Sequence, residues 1–235
     1  MMILIIYDFS AVLCGGFFMG DIMFDWFFFD LDGTLTDPAL GITNSIMYAL
    51  RKLDIEPPER SELYKFIGPP LAGSFEKFYG FSHEKAETAV ALYREYFGET
   101  GIFENSVFDG VPQMLEKLKN AGKQIVLATS KPHVYADRIL EYFNLAGYFD
   151  FISGSELDGR RTDKAEVIAY ALSELNIKNR SQVLMIGDRE HDIIGAKKNG
   201  IASLGVLYGF GSRAELESAG ADHIASKVSD ILNYI

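Results

Sequence analysis

Four consecutive apolar residues, Trp26-Phe27-Phe28-Phe29, run directly into the acidic pair Asp30 and Asp32. Four residues are too few for a helix, and the run lacks the alternation of a strand with one wet face. It reads as a strand covered on both sides. Similar runs follow at 124–128 (QIVLA), 183–186 (VLMI) and 203–207 (SLGVL), with a weaker one at 151–153. Between them apolar residues fall at helical spacing. Val111, Met114, Leu115 and Leu118 keep an i, i+3, i+4, i+7 pattern, with Pro112 early and Gly122 past the end. Ile139, Leu140 and Phe143 repeat the theme, as do Ile168, Leu172 and Leu175. This alternation predicts an α/β fold, a doubly wound parallel sheet with helices on both faces. Such sheets hold ligands outside the carboxyl ends of their strands, near the point where strand order reverses. Chemistry is therefore expected in the loops after Phe29, Ala128 and Ile186.

Residues 38–105 depart from this pattern. Ile42, Ile46, Ala49, Leu50 and Leu53, then Ala86, Val90, Tyr93 and Phe97, mark amphipathic helices, punctuated by Pro57-Pro58 and Gly68-Pro69-Pro70. The expectation is a small helical domain inserted after the first core strand, with the core formed by 24–37 and 106–235. A chain of 235 residues can bury both. Its 22 Lys+Arg against 33 Asp+Glu give a net charge of −11. That balance argues against nucleic acid or an anionic membrane as partner, because both are bound through clustered cations. A single cysteine, Cys14, excludes an internal disulfide and any multi-cysteine metal site, and suits a reducing, cytoplasmic setting. Residues 1–23 are an N-terminal extension, largely apolar but interrupted by Asp8 and without a positive start, unlike a secretory signal. An extra strand, a disordered leader, or sequence upstream of a start at Met19 or Met23 all fit it. The sequence specifies no oligomeric state.

The carboxylates carry the chemical information. Asp30 and Asp32, two apart on an extended segment, point to one side, and Gly33 lets the backbone turn closely round a ligand. A calcium loop starting at Asp30 would need Gly at its sixth position and Glu at its twelfth; Leu35 and Gly41 stand there instead. A second cluster, Gly187-Asp188-Arg189-Glu190-His191-Asp192, follows the VLMI run in the same way. Taken alone, its acids also suit loop polars or helix N-caps. Four carboxylates at one sheet edge repel: two unit charges about 4 Å apart cost roughly 4 kcal/mol at an effective dielectric of 20. A bound divalent cation would relieve this, and an all-oxygen donor set without cysteine favours magnesium. Thr129 and Ser130 end the QIVLA run, where a hydroxyl and free N–H groups suit a phosphate oxygen or, equally, a helix N-cap. Lys164 stands at the start of the helix carrying Ile168 and Leu172. A cation there opposes the helix dipole unless something anionic lies nearby.

In order and spacing, DxDGT at 30–34, Thr129, Lys164 and GDxxxD at 187–192 resemble the four motifs of the haloacid dehalogenase-like hydrolase superfamily. The resemblance runs from about residue 24 to the end. Within the superfamily it is nearest the phosphoglycolate phosphatase branch and its 5′-nucleotidase-like relatives, through FFFDLDGTLTD, FIGPPL (66–71), LATSKP (127–132) and MIGDREHDIIGAKKNGI (185–201). It implies a doubly wound, Rossmann-like core with a helical cap inserted after the first motif. It also implies a magnesium-dependent phosphatase of a small phosphorylated metabolite, working through an aspartyl-phosphate. Asp30 is then the nucleophile and Asp32 the general acid and base. The metal is held by Asp30, Asp188 and the Asp32 backbone carbonyl, with Asp192 ligating directly or through water. Gly33, Thr129, Ser130 and Lys164 hold phosphate, and Gly68, Pro69 and Pro70 lie near the substrate under the cap.

The presence of Asp32 favours phosphate esters over halides, since an alkoxide leaving group needs a proton and a halide does not. Phosphoglycolate leads on branch resemblance, with nucleoside monophosphates as the alternative. Phe75, Phe78, Tyr79 and Phe81 are either base-stacking groups or, more in keeping with their spacing, cap core. A phosphomutase would keep every motif and differ in the cap. A receiver-like phosphoacceptor domain would share an acidic cluster, a Thr and a Lys, but not a second acid two residues after the first. No GxxxxGK[ST], GxSxG or HExxH is present.

Overall fold

The computed structural model describes residues 23–235, so the extension, apart from Met23, and Cys14 lie outside the described residues. The strands are β1 (Trp26–Phe29), β2 (Thr36–Asp37), β3 (Ser106–Val107), β4 (Gln124–Pro132), β5 (Phe151–Ser155), β6 (Val183–Gly187), β7 (Ala202–Val206) and β8 (His223–Ala225). The helices are α1 (Ala39–Lys52), α2 (Leu71–Tyr79), α3 (His83–Tyr96), α4 (Val111–Asn120), α5 (His133–Tyr142), α6 (Lys164–Glu174), α7 (Glu190–Asn199) and α8 (Arg213–Ala219). Six strands form one sheet in the order β5-β4-β1-β6-β7-β8, each neighbour pair parallel. From β1 the chain winds one way to β4 and β5, then returns and winds the other way through β6 to β8. That is the doubly wound Rossmann-like order, with its switch point between β1 and β6.

The pleat explains the unbroken apolar run of β1. Phe28 stands in register with Val126 and Met185, and these pack with Val167, Ile168, Ala171 and Leu172 of α6 and Ala196 of α7. Phe27 and Phe29 face the other way, with Ile125, Leu127, Leu184 and Ile186, against Met114, Leu115 and Leu118 of α4 and Ile139 and Leu140 of α5. Alternate residues go to opposite faces and both faces are dry, so no polar residue is tolerated.

The strand expected at 124–128 runs on to Pro132, with a register irregularity between Ala128 and Pro132 before it pairs again at Ser155. The extension was hidden because Thr129 and Lys131 are polar yet buried, sustained by partners instead of by apolarity. The short edge strand β8, which includes His223, carries no apolar run and was not anticipated.

β2 and β3 pair as a two-stranded antiparallel ribbon, Thr36 opposite Val107 and Asp37 opposite Ser106. Between them lies a helical cap: α1, a 3₁₀ segment (Arg60–Phe66), α2, α3 and a π-helical turn (Phe97–Gly101). Ile42, Ile46, Ala49 and Leu50 of α1 and Ala86, Ala89 and Val90 of α3 build its interior. Phe75 is fully buried and packs on Phe66 at 5.2 Å and Phe81 at 5.8 Å between ring centres, with Phe78 and Tyr79 on the same cluster. These aromatics are cap core. Phe28→Ala is expected to lower unfolding free energy by about 3–5 kcal/mol in urea titrations, whereas the half-exposed Val134→Ala should stay within about 0.5 kcal/mol.

Candidate active site

Asp30 continues β1 by donating its N–H to the Ile186 carbonyl at 2.9 Å, which fixes it at the switch point. Its Oδ1 accepts the Leu31 N–H at 2.8 Å and lies 2.7 Å from Lys164 Nζ. Among the described residues Oδ2 has no such partner. Two residues on, Asp32 places Oδ2 2.9 Å from Lys131 Nζ, while among the described residues its buried Oδ1 accepts no hydrogen bond. Gly33 has φ +83°, and a Cβ there would fall 2.3 Å from Asp188 Oδ2. Both the left-handed backbone and the space demand glycine.

Asp188 follows β6 and is fully buried; its Oδ2 accepts the Phe210 N–H at 2.7 Å. Asp192 lies in the first turn of α7, where Oδ2 accepts the Arg189 N–H at 3.1 Å and so caps the helix. Its Oδ1 has the Lys164 ammonium at 2.8 Å as sole partner. Lys164 opens α6 behind its N-cap Asp163, which accepts the Ala165 N–H at 2.7 Å. Its Nζ also donates to the Ala128 carbonyl at 3.0 Å. The ammonium therefore meets Asp30, Asp192 and a carbonyl with its three N–H groups, which resolves the unfavourable charge at a helix N-terminus.

Asp30, Asp188 and Asp192 each offer a carboxylate oxygen, all within 4.8 Å of one another. Burial, reinforced by the charges of Asp192 and Asp30, holds Asp188 well above the ordinary carboxylate range. Burial also pushes Asp192 up to about 6, against the pull of Lys164. Asp32 is raised by burial and lowered in turn by Lys131. For Lys164, burial opposes the charge, but the carboxylates of Asp192 and Asp30 outweigh it and hold the ammonium above its usual value. With all three carboxylates ionised, the one ammonium would leave two negative charges uncompensated. A hard divalent cation on these oxygens would balance them, so the residues present fit such an ion.

A cavity of about 650 Å³ opens between cap and core. The core supplies Asp32, Ser130 and Lys131 to its wall, and the cap supplies Gly68, Pro69, Pro70, Val90, Tyr93 and Phe97. Thr129 is buried behind it, its Oγ1 accepting the Lys131 N–H at 3.2 Å, and the Ser130 carbonyl accepts Ser155 Oγ at 2.8 Å. The acidic, phosphate-binding and cap-loop residues expected of the site thus come to the carboxyl end of the sheet or to the cavity above it. Three contributors were missed. Lys131 pairs with Asp32; its position between Ser130 and Pro132 was the available signal. Arg189 reaches from the core to donate to the Ile67 carbonyl of the cap, and it pairs with Glu215 at 2.8 Å. The loop after β7 packs on Asp188: a Cβ on Gly209 would lie 2.4 Å from Asp188 Cβ, and Tyr208 donates its hydroxyl to the Thr34 carbonyl at 3.1 Å. The pair Gly209 and Gly211 after an apolar run was its trace.

The chain matches the family model described as haloacid dehalogenase-like hydrolase over residues 27–206, and it belongs to that family. It is 48% identical over 201 residues to a protein of Pseudomonas aeruginosa named 5′-nucleotidase, covering 86% of this chain and 90% of that one. It is 39% identical over 183 residues to a Mycobacterium tuberculosis protein named tyrosine-protein kinase PtkA, covering 78% of this chain and 62% of that one. The crystal structure of a predicted phosphatase from Clostridium acetobutylicum superposes with a TM-score of 0.86 at 51% identity, covering 89% of this chain and 96% of that one. No helix among the described residues is long and apolar enough to cross a membrane.

Asp188 gives a direct test of the charge balance. Its raised value means that, without a cation, the fold prefers the protonated form. That contribution is present below the ordinary carboxylate value of 3.8 and is lost as pH rises above it. In chelator at neutral pH, Asp188→Asn is therefore expected to melt at a higher temperature than the parent. Millimolar magnesium should raise the melting temperature of the parent and leave the variant unmoved, as read by scanning fluorimetry.

Proposed function

We propose that this chain is a magnesium-dependent phosphatase that hydrolyses a small phosphate monoester, a nucleoside 5′-monophosphate, through an aspartyl-phosphate on Asp30, with residues 38–105 as the cap. The observation that carries the phosphatase reading is the convergence of Asp30, Asp188 and Asp192 within 4.8 Å, clamped by Lys164. Asp30, Asp188, the Asp32 backbone carbonyl and Asp192, directly or through water, would hold the magnesium. When bound, the ion supplies charge neutralisation and orientation for the transferring phosphoryl group.

The residues themselves divide the remaining work. Asp30 Oδ1 is pinned by the Leu31 N–H and Lys164, which leaves Oδ2 to attack phosphorus. The ester oxygen leaves with a proton from Asp32, whose burial raises its affinity for that proton. Asp32 then takes a proton from the water that attacks the acyl phosphate, releasing inorganic phosphate and restoring Asp30. Lys164 holds the nucleophile in line and keeps a positive charge beside the phosphoryl oxygens. Gly33, Thr129 and Ser130 supply the phosphate cradle.

Cavity size favours a nucleotide over phosphoglycolate. A two-carbon acid would leave most of about 650 Å³ empty, whereas Val90, Tyr93, Phe97 and Tyr135 offer apolar and aromatic walls to a larger planar body. The resemblance to the Pseudomonas aeruginosa protein named 5′-nucleotidase supports the same choice. Phosphate release from nucleoside monophosphates, phosphoglycolate and a hexose phosphate, each with magnesium, ranks the substrates. Highest kcat/KM on a nucleotide is expected, and preference for phosphoglycolate would reverse the assignment. Transfer to a hexose or to a tyrosine peptide without phosphate release would instead indicate a mutase or kinase. Asp30→Asn should abolish turnover, and Asp32→Asn should lower kcat by roughly 10²–10⁴-fold on alkyl esters.

A further inference from the structure

We infer that Lys131 is a positioning residue that orients the carboxylate of Asp32 and ties that orientation to closure of the cap. The inference rests on the phosphatase reading above. Lys131 lies near the end of β4, with its side chain only 6% exposed. Its Nζ is 2.9 Å from Asp32 Oδ2 on the core side and 4.4 Å from the centre of the Phe97 ring on the cap side. It makes no ion pair with Asp30, Asp188 or Asp192, the cluster that Lys164 serves. A buried ammonium thus touches one group from each side of the cleft.

Phe97 is itself held firmly. It stacks on Tyr93 at 5.2 Å and meets Tyr135 of α5 edge-on at 5.3 Å. An ammonium over an aromatic face is attracted to it, and more strongly when desolvated, so Lys131 is steadied where Phe97 covers it. The carboxyl of Asp32 can otherwise turn about its last bond. Lys131 on Oδ2 fixes that plane and leaves Oδ1, buried and without a hydrogen-bond partner among the described residues, as the oxygen not committed to a cation. Asp32 is therefore aligned when the cap lies over the core. A cap that swings away removes the ring, wets the ammonium and frees the carboxyl.

The test compares Lys131→Met and Lys131→Arg with the parent on two esters in the presence of magnesium. One is the parent's best alkyl phosphate, whose alkoxide leaving group needs the Asp32 proton. The other is p-nitrophenyl phosphate, whose phenolate leaves without that help. Lys131→Met is expected to lose on the order of 10²-fold in kcat/KM on the alkyl ester. On the nitrophenyl ester kcat/KM, which reports the steps up to departure of the leaving group and not the later Asp32-assisted hydrolysis of the acyl phosphate, should fall by less than about 5-fold. Lys131→Arg keeps a cation for Asp32 and Phe97 and should recover most of the alkyl-ester kcat/KM. Equal losses of kcat/KM on both esters, or a raised KM at unchanged kcat, would overturn the positioning role. Should Lys131→Met fail to fold, Phe97→Leu is read on the same pair and must show the same ester selectivity, at smaller size. A parent inactive on both esters overturns the phosphatase reading and this inference together; an active parent with unselective variants overturns the inference alone.

Discussion

Like charges do not gather in a protein interior unless something holds them, and in this chain Lys164 does much of that holding. Its ammonium lies 2.7 Å from Asp30 and 2.8 Å from Asp192, with the Ala128 carbonyl as third partner. Those three groups come from the end of β1, the middle of β4 and the first turn of α7, so one side chain joins three arms of the fold at the switch point. Asp188 lies outside that clamp, held by the Phe210 N–H and raised by burial and its acidic neighbours. The remaining negative charge is what fits the cluster to hold a cation, beyond the requirements of a buried ion-pair network.

Around this centre the labour divides between two bodies of structure. The sheet edge places every charged group of the cluster on rigid elements, where the backbone itself sets the geometry. The cap contributes size and surface: Gly68, Pro69 and Pro70, and the aromatic wall of Tyr93 and Phe97. The two are joined covalently only through the β2–β3 ribbon, and across the cleft by Arg189 on the Ile67 carbonyl, Arg94 on the Leu157 carbonyl, Lys131 under Phe97, and the ring contacts of Phe97 with Tyr135 and Tyr64 with Phe210.

Much of the architecture was legible because both faces of the central strands are dry. The runs at 26–29 and 183–186 can be nothing but covered strands, and the helical spacings between them have no competing period. The acidic site was legible for a related reason: Asp30, Asp32, Asp188 and Asp192 follow apolar runs that end at a common edge. The three residues beyond Ala128 were harder to read. Thr129 and Lys131 continue the buried alternation of β4 with polar side chains, and a hydropathy pattern registers those as the end of a strand. Likewise Arg189 stood in view within the second acidic motif, but nothing in its neighbours along the chain pointed to Ile67.

The amino-acid order by itself determined the strand–helix alternation, the helical insertion and the identity of the acids at the sheet edge. Those follow from local periodicity and from what burial permits. Only the tertiary structure decided which lysine serves which carboxylate, that the cap aromatics Phe75, Phe78, Tyr79 and Phe81 pack on one another, and that Phe97 reaches across to Lys131. The lysine–carboxylate pairings join residues 28 to 134 positions apart, as Lys164 with Asp192 and with Asp30 do, and Phe97 lies 34 positions from Lys131. They arise from the winding of the sheet and the seating of the cap, which no stretch of neighbouring residues encodes.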